Sequence, residues 1–155
     1  MGERITKVHD WLDAVPADPA LTQDRRIKYT HLLAVSQFAS LLALRRDVDV
    51  ELACIAGLLH DIHSFLTGEA EGHAARGAEE ASGILMALGC FDQLEIDRVC
   101  QAIARHSSKG AVDEPLDEVL KDADVLQHHM YNPLWPIDPR EQSRYDAILR
   151  ELGSR

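Results

Sequence analysis

Residues 52–62, LACIAGLLHDI, carry apolar side chains at the three- and four-residue steps of a helix and then end on two groups that burial disfavours, His60 and Asp61. Leu52, Ile55, Leu59 and Ile62 share one stripe, and Asp47 or Asp49 stands where an N-cap is needed. A carboxylate at the end of such a run carries a large desolvation cost unless it meets hydrogen-bond donors or a cation. The stretch reads as a core helix that delivers an imidazole and a carboxylate to the interior.

The same conflict recurs on other helices. Upstream, a helix from about residue 24 to 45 places His31 on a stripe with Ile27, Val35, Phe38 and Leu42. Downstream, Ala74, Ala78, Ala81, Leu85 and Leu88 form a small-residue face over about 72–88, with His73 at its start and Gly89 as its stop. A helix opened by Asp92 aligns Ile96, Val99 and Ile103 with His106. A helix from near Pro115 sets Leu116 and Leu120 on the face of Asp124, within LKDADVL at 120–126. Helices at about 3–15 and from near Pro139 to Gly153 complete the chain, and strand-like alternation is hard to find. The expectation is an all-α protein, a single compact helical bundle of about six helices forming one domain over 1–155.

Several carboxylates among imidazoles on separate apolar helices imply mutual hydrogen bonding or a shared divalent cation. Neutral imidazole nitrogen with carboxylate oxygen suits Mn, Fe, Co, Ni or Zn, whereas an all-oxygen set would have suggested Mg or Ca. Convergence of ligands from different helices is a recognised way for a bundle to hold metal.

Composition narrows the partners. With 16 Lys and Arg against 26 Asp and Glu, the formal charge is −10, which disfavours nucleic-acid polymers and anionic membrane surfaces in the absence of a basic patch. Cys54, Cys90 and Cys100 form no C-x-x-C and read as small buried thiols of a reducing, cytoplasmic compartment. The N-terminal MGERITKVHDW has no apolar signal core, and no apolar run is expected to span a bilayer.

His31, the doublet His60-Asp61 and Asp124 resemble the H…HD…D signature of the HD-domain superfamily, whose best-known members are metal-dependent phosphohydrolases. The order of GLLHDI (57–62), HAARGAEEASGIL (73–85), AIARHSS (102–108) and LKDADVL is similar to that of compact bacterial members, so the resemblance spans roughly 24–130. It implies ligation of a divalent transition metal by His31, His60, Asp61 and Asp124, with Asp61 also the catalytic residue holding the ion and the nucleophile, and Asp122 a supporting group. If His73 and His106 also ligate, the pattern resembles the six-ligand subset in which the HD aspartate bridges two ions, so one or two ions are expected. Lys109 and Arg76 lie near these residues in sequence and are candidate substrate-phosphate contacts, against the alternative of solvated surface charge. His63 is expected at the surface, and His9, His128 and His129 without metal duty.

Three functions remain open at this point. One is hydrolysis of a small phosphate ester or nucleotide by an activated water. The second is a dinuclear iron oxygenase of the same superfamily, which requires His73 and His106. The third is a non-catalytic metal- or ligand-binding signalling module. After the doublet the chain has Ile62-His63-Ser64-Phe65 in place of the Gly-Lys, acidic-pair or Glu motifs of well-known branches, and it has no GYP-type extension, which weighs against alarmone, deoxynucleotide and cyclic-dinucleotide substrates.

Overall fold

Caps written into the sequence set several helix ends in the computed structural model, which describes residues 2–153; Met1, Ser154 and Arg155, the ends of the expected domain, lie outside the described residues. The segments are α1 (Glu3–Ala14), α2 (Thr22–Arg46), α3 (Val50–Leu59), α4 (Ile62–Thr67), α5 (His73–Leu88), α6 (Gln93–Arg105), α7 (Pro115–Tyr131) and α8 (Gln142–Gly153), with a 3₁₀ turn at Pro19–Leu21. Asp49 opens α3 by accepting the Leu52 amide at 2.9 Å. Asp92 and Glu95 form a reciprocal capping box at the start of α6. Pro115 occupies the first turn of α7, where its missing amide costs nothing.

The fold is all helical, with no strand among the described residues. The eight α-helical segments among the described residues stand near the expected six. One of them, α4, is a separate short helix, IHSFLT, that follows the doublet and buries Ile62, His63, Ser64 and Phe65. The last helix starts at Gln142 rather than near Pro139. Asp138 fastens a turn ahead of it, accepting the Arg140 amide on Oδ1 and the Glu141 amide on its carbonyl, each at 2.9 Å.

α2 packs on α3 and α7, α3 also on α6 and α7, and α5 on α4 and α6, while α1 covers α3 and α8 lies against α7. Leu32, Val35, Leu42, Leu58, Leu59, Ile103, Leu120 and Ala123 belong to one buried apolar cluster. The expected α2 stripe is correct from His31 onward but not at its start, since Ile27 is 48% exposed. The tightest crossing is at Gly57, where a built Cβ would stand 2.5 Å from the Ser36 Cα and 2.7 Å from the Ser36 nitrogen. Only a missing side chain lets α3 carry His60 this close to the helix of His31.

The segment between α6 and α7 is held from beneath by buried cations. Lys121 is fully buried, and its ammonium donates to the Ala111 carbonyl at 2.9 Å, Asp113 Oδ2 at 2.6 Å and Glu118 Oε1 at 2.9 Å. All three of its donors are therefore satisfied. From α8, Arg144 donates from Nη2 to the Lys109 carbonyl at 2.8 Å while its Nη1 reaches both Glu118 at 2.8 Å and Asp122 at 2.7 Å. Asp122 also accepts from Arg46 of α2 at 2.6 Å, so this buried carboxylate knits α2, α7 and α8.

Two stretches, Asp24–Arg46 and Val50–Thr67, reach the length and mean hydropathy, 1.2 each, of a bilayer span, by length and composition only. Composition over a window misses what they are for. The second is mostly buried against other helices and breaks at His60-Asp61, and the first carries His31 toward the same point.

Candidate metal centre

Helix ends orient the histidines. α3 stops at His60 and α6 at His106, and the last carbonyls of a helix have no intrahelical donor. The imidazoles supply one: His60 Nδ1 donates to the Gly57 carbonyl at 2.8 Å, and His106 Nδ1 to the Ile103 carbonyl at 2.7 Å. His73, at the start of α5, does the same to the Ala70 carbonyl at 2.7 Å, and His31 Nδ1 donates to Gln127 Oε1 at 2.6 Å. With the proton fixed on Nδ1, each ring keeps a lone pair on Nε2.

Those four Nε2 atoms converge on two carboxylates. His31 and His60 bring theirs to 3.0 Å from one another, and His73 and His106 to 3.3 Å. Asp61 lies between the pairs. Its Oδ2 is 3.6 Å from His31 Nε2 and 3.7 Å from His60 Nε2, while its Oδ1 is 3.5 Å from His73 Nε2 and 3.4 Å from His106 Nε2. Asp124 Oδ1 completes the first set, 3.3 Å from His31 Nε2 and 3.6 Å from His60 Nε2.

Lone pairs facing carboxylate oxygens repel unless a cation lies among them. Asp61 Oδ1 and Asp124 Oδ1 are buried without a hydrogen-bond partner, and a cation among the imidazoles would give both a counter-charge. Donors held about 2.1 Å from one ion are separated by roughly 2.9 Å at right angles and about 3.4 Å at tetrahedral angles, close to the spacings above. The donor set fits a borderline transition metal. It fits best at His31, His60, Asp61 and Asp124. In the second set, Ser107 Oγ lies 3.1 Å from His73 Nε2 and 3.5 Å from His106 Nε2, so its hydroxyl can serve one of those lone pairs.

Charge in the site follows the same geometry. Burial alone would raise Asp61, but the facing imidazoles of His60 and His106 leave it well below the usual carboxylate range. Burial would also raise Asp124, and the Lys109 charge with the facing imidazoles of His31 and His60 outweighs that and holds it low too. Burial pushes His60 below its ordinary value and keeps its lone pair free. Burial lowers His31, yet the facing carboxylates of Asp124 and Asp61 win and leave it raised.

The centre floors a cavity of about 630 Å³ whose lining includes Ser107, Ser108, Lys109, Gly110, His128, Asp138, Arg140 and Glu141. Lys109 donates to Asp124 Oδ2 at 2.5 Å and to the His106 carbonyl at 2.7 Å, so it occupies one oxygen of Asp124 and leaves Oδ1 to the imidazoles.

Arg76 is not brought to the site. It is 57% exposed and paired with Glu69 at 3.1 Å, because its place on α5 turns it outward; the arginine on the cavity wall is Arg140. His63 is not at the surface either: it is buried, with Nδ1 on Glu80 Oε1 at 2.9 Å, and ties α4 to α5. His128 was set aside in the sequence but lines the cavity with Nε2 3.2 Å from Asp124 Oδ1. Its position four residues after Asp124 on α7 was the available signal, since such residues share a helix face.

The HD domain family matches residues 29–128, a span that begins two residues before His31 and ends at His128. Among curated proteins, "Putative phosphohydrolase YueE" of Bacillus subtilis (strain 168) is 28% identical over 147 residues, covering 81% of this chain and 83% of that protein. Among solved structures, a predicted HD superfamily hydrolase from an uncultured Thermotogales bacterium aligns with a TM-score of 0.56 and 28% identity, over 98% of this chain and 88% of the other.

Proposed function

We propose, from the premise that this chain belongs to the HD domain family, that it is a divalent-metal-dependent phosphohydrolase acting on a small phosphate ester or nucleotide. The observation that carries the reading is the pair of buried, unpartnered carboxylate oxygens of Asp61 and Asp124, facing imidazole lone pairs at the floor of an open cavity. The names of the two relatives above, a phosphohydrolase and a hydrolase, agree with it.

His31, His60, Asp61 and Asp124 would hold the principal ion, and Asp61 Oδ1 with His73 and His106 a second. An ion so placed supplies Lewis acidity toward a phosphoryl oxygen and a nucleophilic water at neutral pH. The remaining work falls to the chain. Asp61 sets the ligand geometry from both of its oxygens, and the bond from Lys109 restricts Asp124 to one. The Lys109 ammonium lies beside the centre, and Arg140 also lines the cavity, where a substrate phosphate would compete with Asp138 for its guanidinium. Arg76 takes no part.

A second reading, a dinuclear iron oxygenase, draws on the same observation that Asp61 faces two imidazole pairs. Metal analysis of protein purified without chelator, followed by a screen of phosphate esters with Mn, Co, Ni and Mg, separates the two. The phosphohydrolase reading expects phosphate release that depends on added metal and is suppressed by a chelator. Two irons per chain with no phosphate release from any ester would overturn it in favour of the oxygenase.

A further inference from the structure

Asp124 offers one oxygen to the centre, and three imidazole nitrogens surround it. Its Oδ2 is taken by Lys109 at 2.5 Å. Its Oδ1, buried and without a partner, lies 3.2 Å from His128 Nε2, closer than to His31 Nε2 at 3.3 Å or His60 Nε2 at 3.6 Å. The His128 ring stacks on that of His31, with centroids 5.6 Å apart and planes within 10°, so the two rings present the same edge to the same carboxylate.

Glu141 determines which edge. Its oxygens stand 3.2 and 3.3 Å from His128 Nδ1, and a carboxylate can only accept, so the His128 proton is directed to Nδ1. His129 Nε2 holds the same Glu141 at 2.9 Å from the other side, which fixes the carboxylate in place. His128 is thus arranged as the four other rings are: a hydrogen bond anchors Nδ1 and Nε2 faces an orphaned carboxylate oxygen. A carboxylate behind an imidazole is the usual support of a metal-bound histidine.

We infer that His128 is a further ligand of the ion held by His31, His60 and Asp124, and that Glu141 positions it. The inference rests on the metal reading above and adds to it a donor outside the H…HD…D signature. His128 stands on the solvent side of the centre, 42% exposed, so the ion would be partly capped on the face from which substrate approaches. Binding substrate at that face would require His128 to remain beside it or give up its place.

Co2+ titration of the metal-free protein, read by chelator competition and by the exchangeable imidazole proton signals that bound Co2+ shifts, tests this directly. H128Q is expected to lose one shifted signal and at least about tenfold in Co2+ affinity, because a ligand should matter no less than the outer partners whose loss costs 10–100-fold. E141Q is expected to keep the signal, since its amide oxygen still accepts from Nδ1, while binding Co2+ more weakly than the wild type. A wild type that binds Co2+ alongside an H128Q with the same signals and affinity would overturn this inference alone. A wild type that takes up no Co2+ would overturn the metal reading itself.

Discussion

Asp124→Ala is expected to lose at least about a hundredfold in transition-metal affinity, and to emerge essentially metal-free from a purification that leaves metal on the wild type. Asp124 is buried on α7, and its Oδ1 faces His31, His60 and His128 with no hydrogen bond of its own. Removing it takes away the anionic ligand that neutralises the ion and leaves three lone pairs facing one another. It also strips Lys109 of its 2.5 Å partner, placing an unpaired ammonium beside the centre where it repels a divalent cation. Metal content by mass spectrometry, with helicity by circular dichroism as the folding control, checks the result. A folded variant with wild-type metal content would contradict the ligand assignment.

Gly57→Ala is expected to destabilise the chain by about 3 kcal/mol or more, since a methyl group forced against backbone cannot be accommodated by a rotamer change. The added carbon meets the Cα and nitrogen of Ser36 at 2.5 and 2.7 Å, so α2 and α3 must separate. For a chain of this size the melting temperature should fall by about 6–12 °C. Metal affinity should fall with it, because the separating helices carry His31 and His60. Gly83→Ala supplies the contrast: this exposed glycine of α5 has nothing within 4 Å of a built Cβ, and the substitution should stabilise by about 0.4–1 kcal/mol. Thermal melts of the two variants should move in opposite directions; a Gly57→Ala melt equal to the wild type would show that the crossing is looser than described.

The sequence made the centre legible where function conflicts with packing. His60-Asp61 at the end of an apolar helix, His31 on an apolar stripe and Asp124 behind Leu116 and Leu120 each violate the rule for a core, and all come together. What remained hidden obeyed ordinary rules. His128 is part-exposed on a polar helix end, where an imidazole raises no question, and its role depends on Glu141, thirteen residues away across a turn. Arg76 and Arg140 could not be ranked by distance along the chain, because one sits on the outward face of α5 and the other on a turn that Asp138 folds over the cavity. α4 was hidden because its polar residues bury themselves through specific bonds, His63 to Glu80 and the Ser64 hydroxyl to the Glu69 carbonyl at 2.8 Å, rather than through an apolar stripe.

The most direct test is anomalous X-ray scattering at the manganese edge from a crystal grown with Mn2+ and no chelator. The predicted result is a peak about 2.2 Å from His31 Nε2, His60 Nε2, an oxygen of Asp61 and Asp124 Oδ1. A map with no peak among these groups, and with the imidazole of residue 31 hydrogen-bonded straight to the carboxylate of residue 124, would contradict the account.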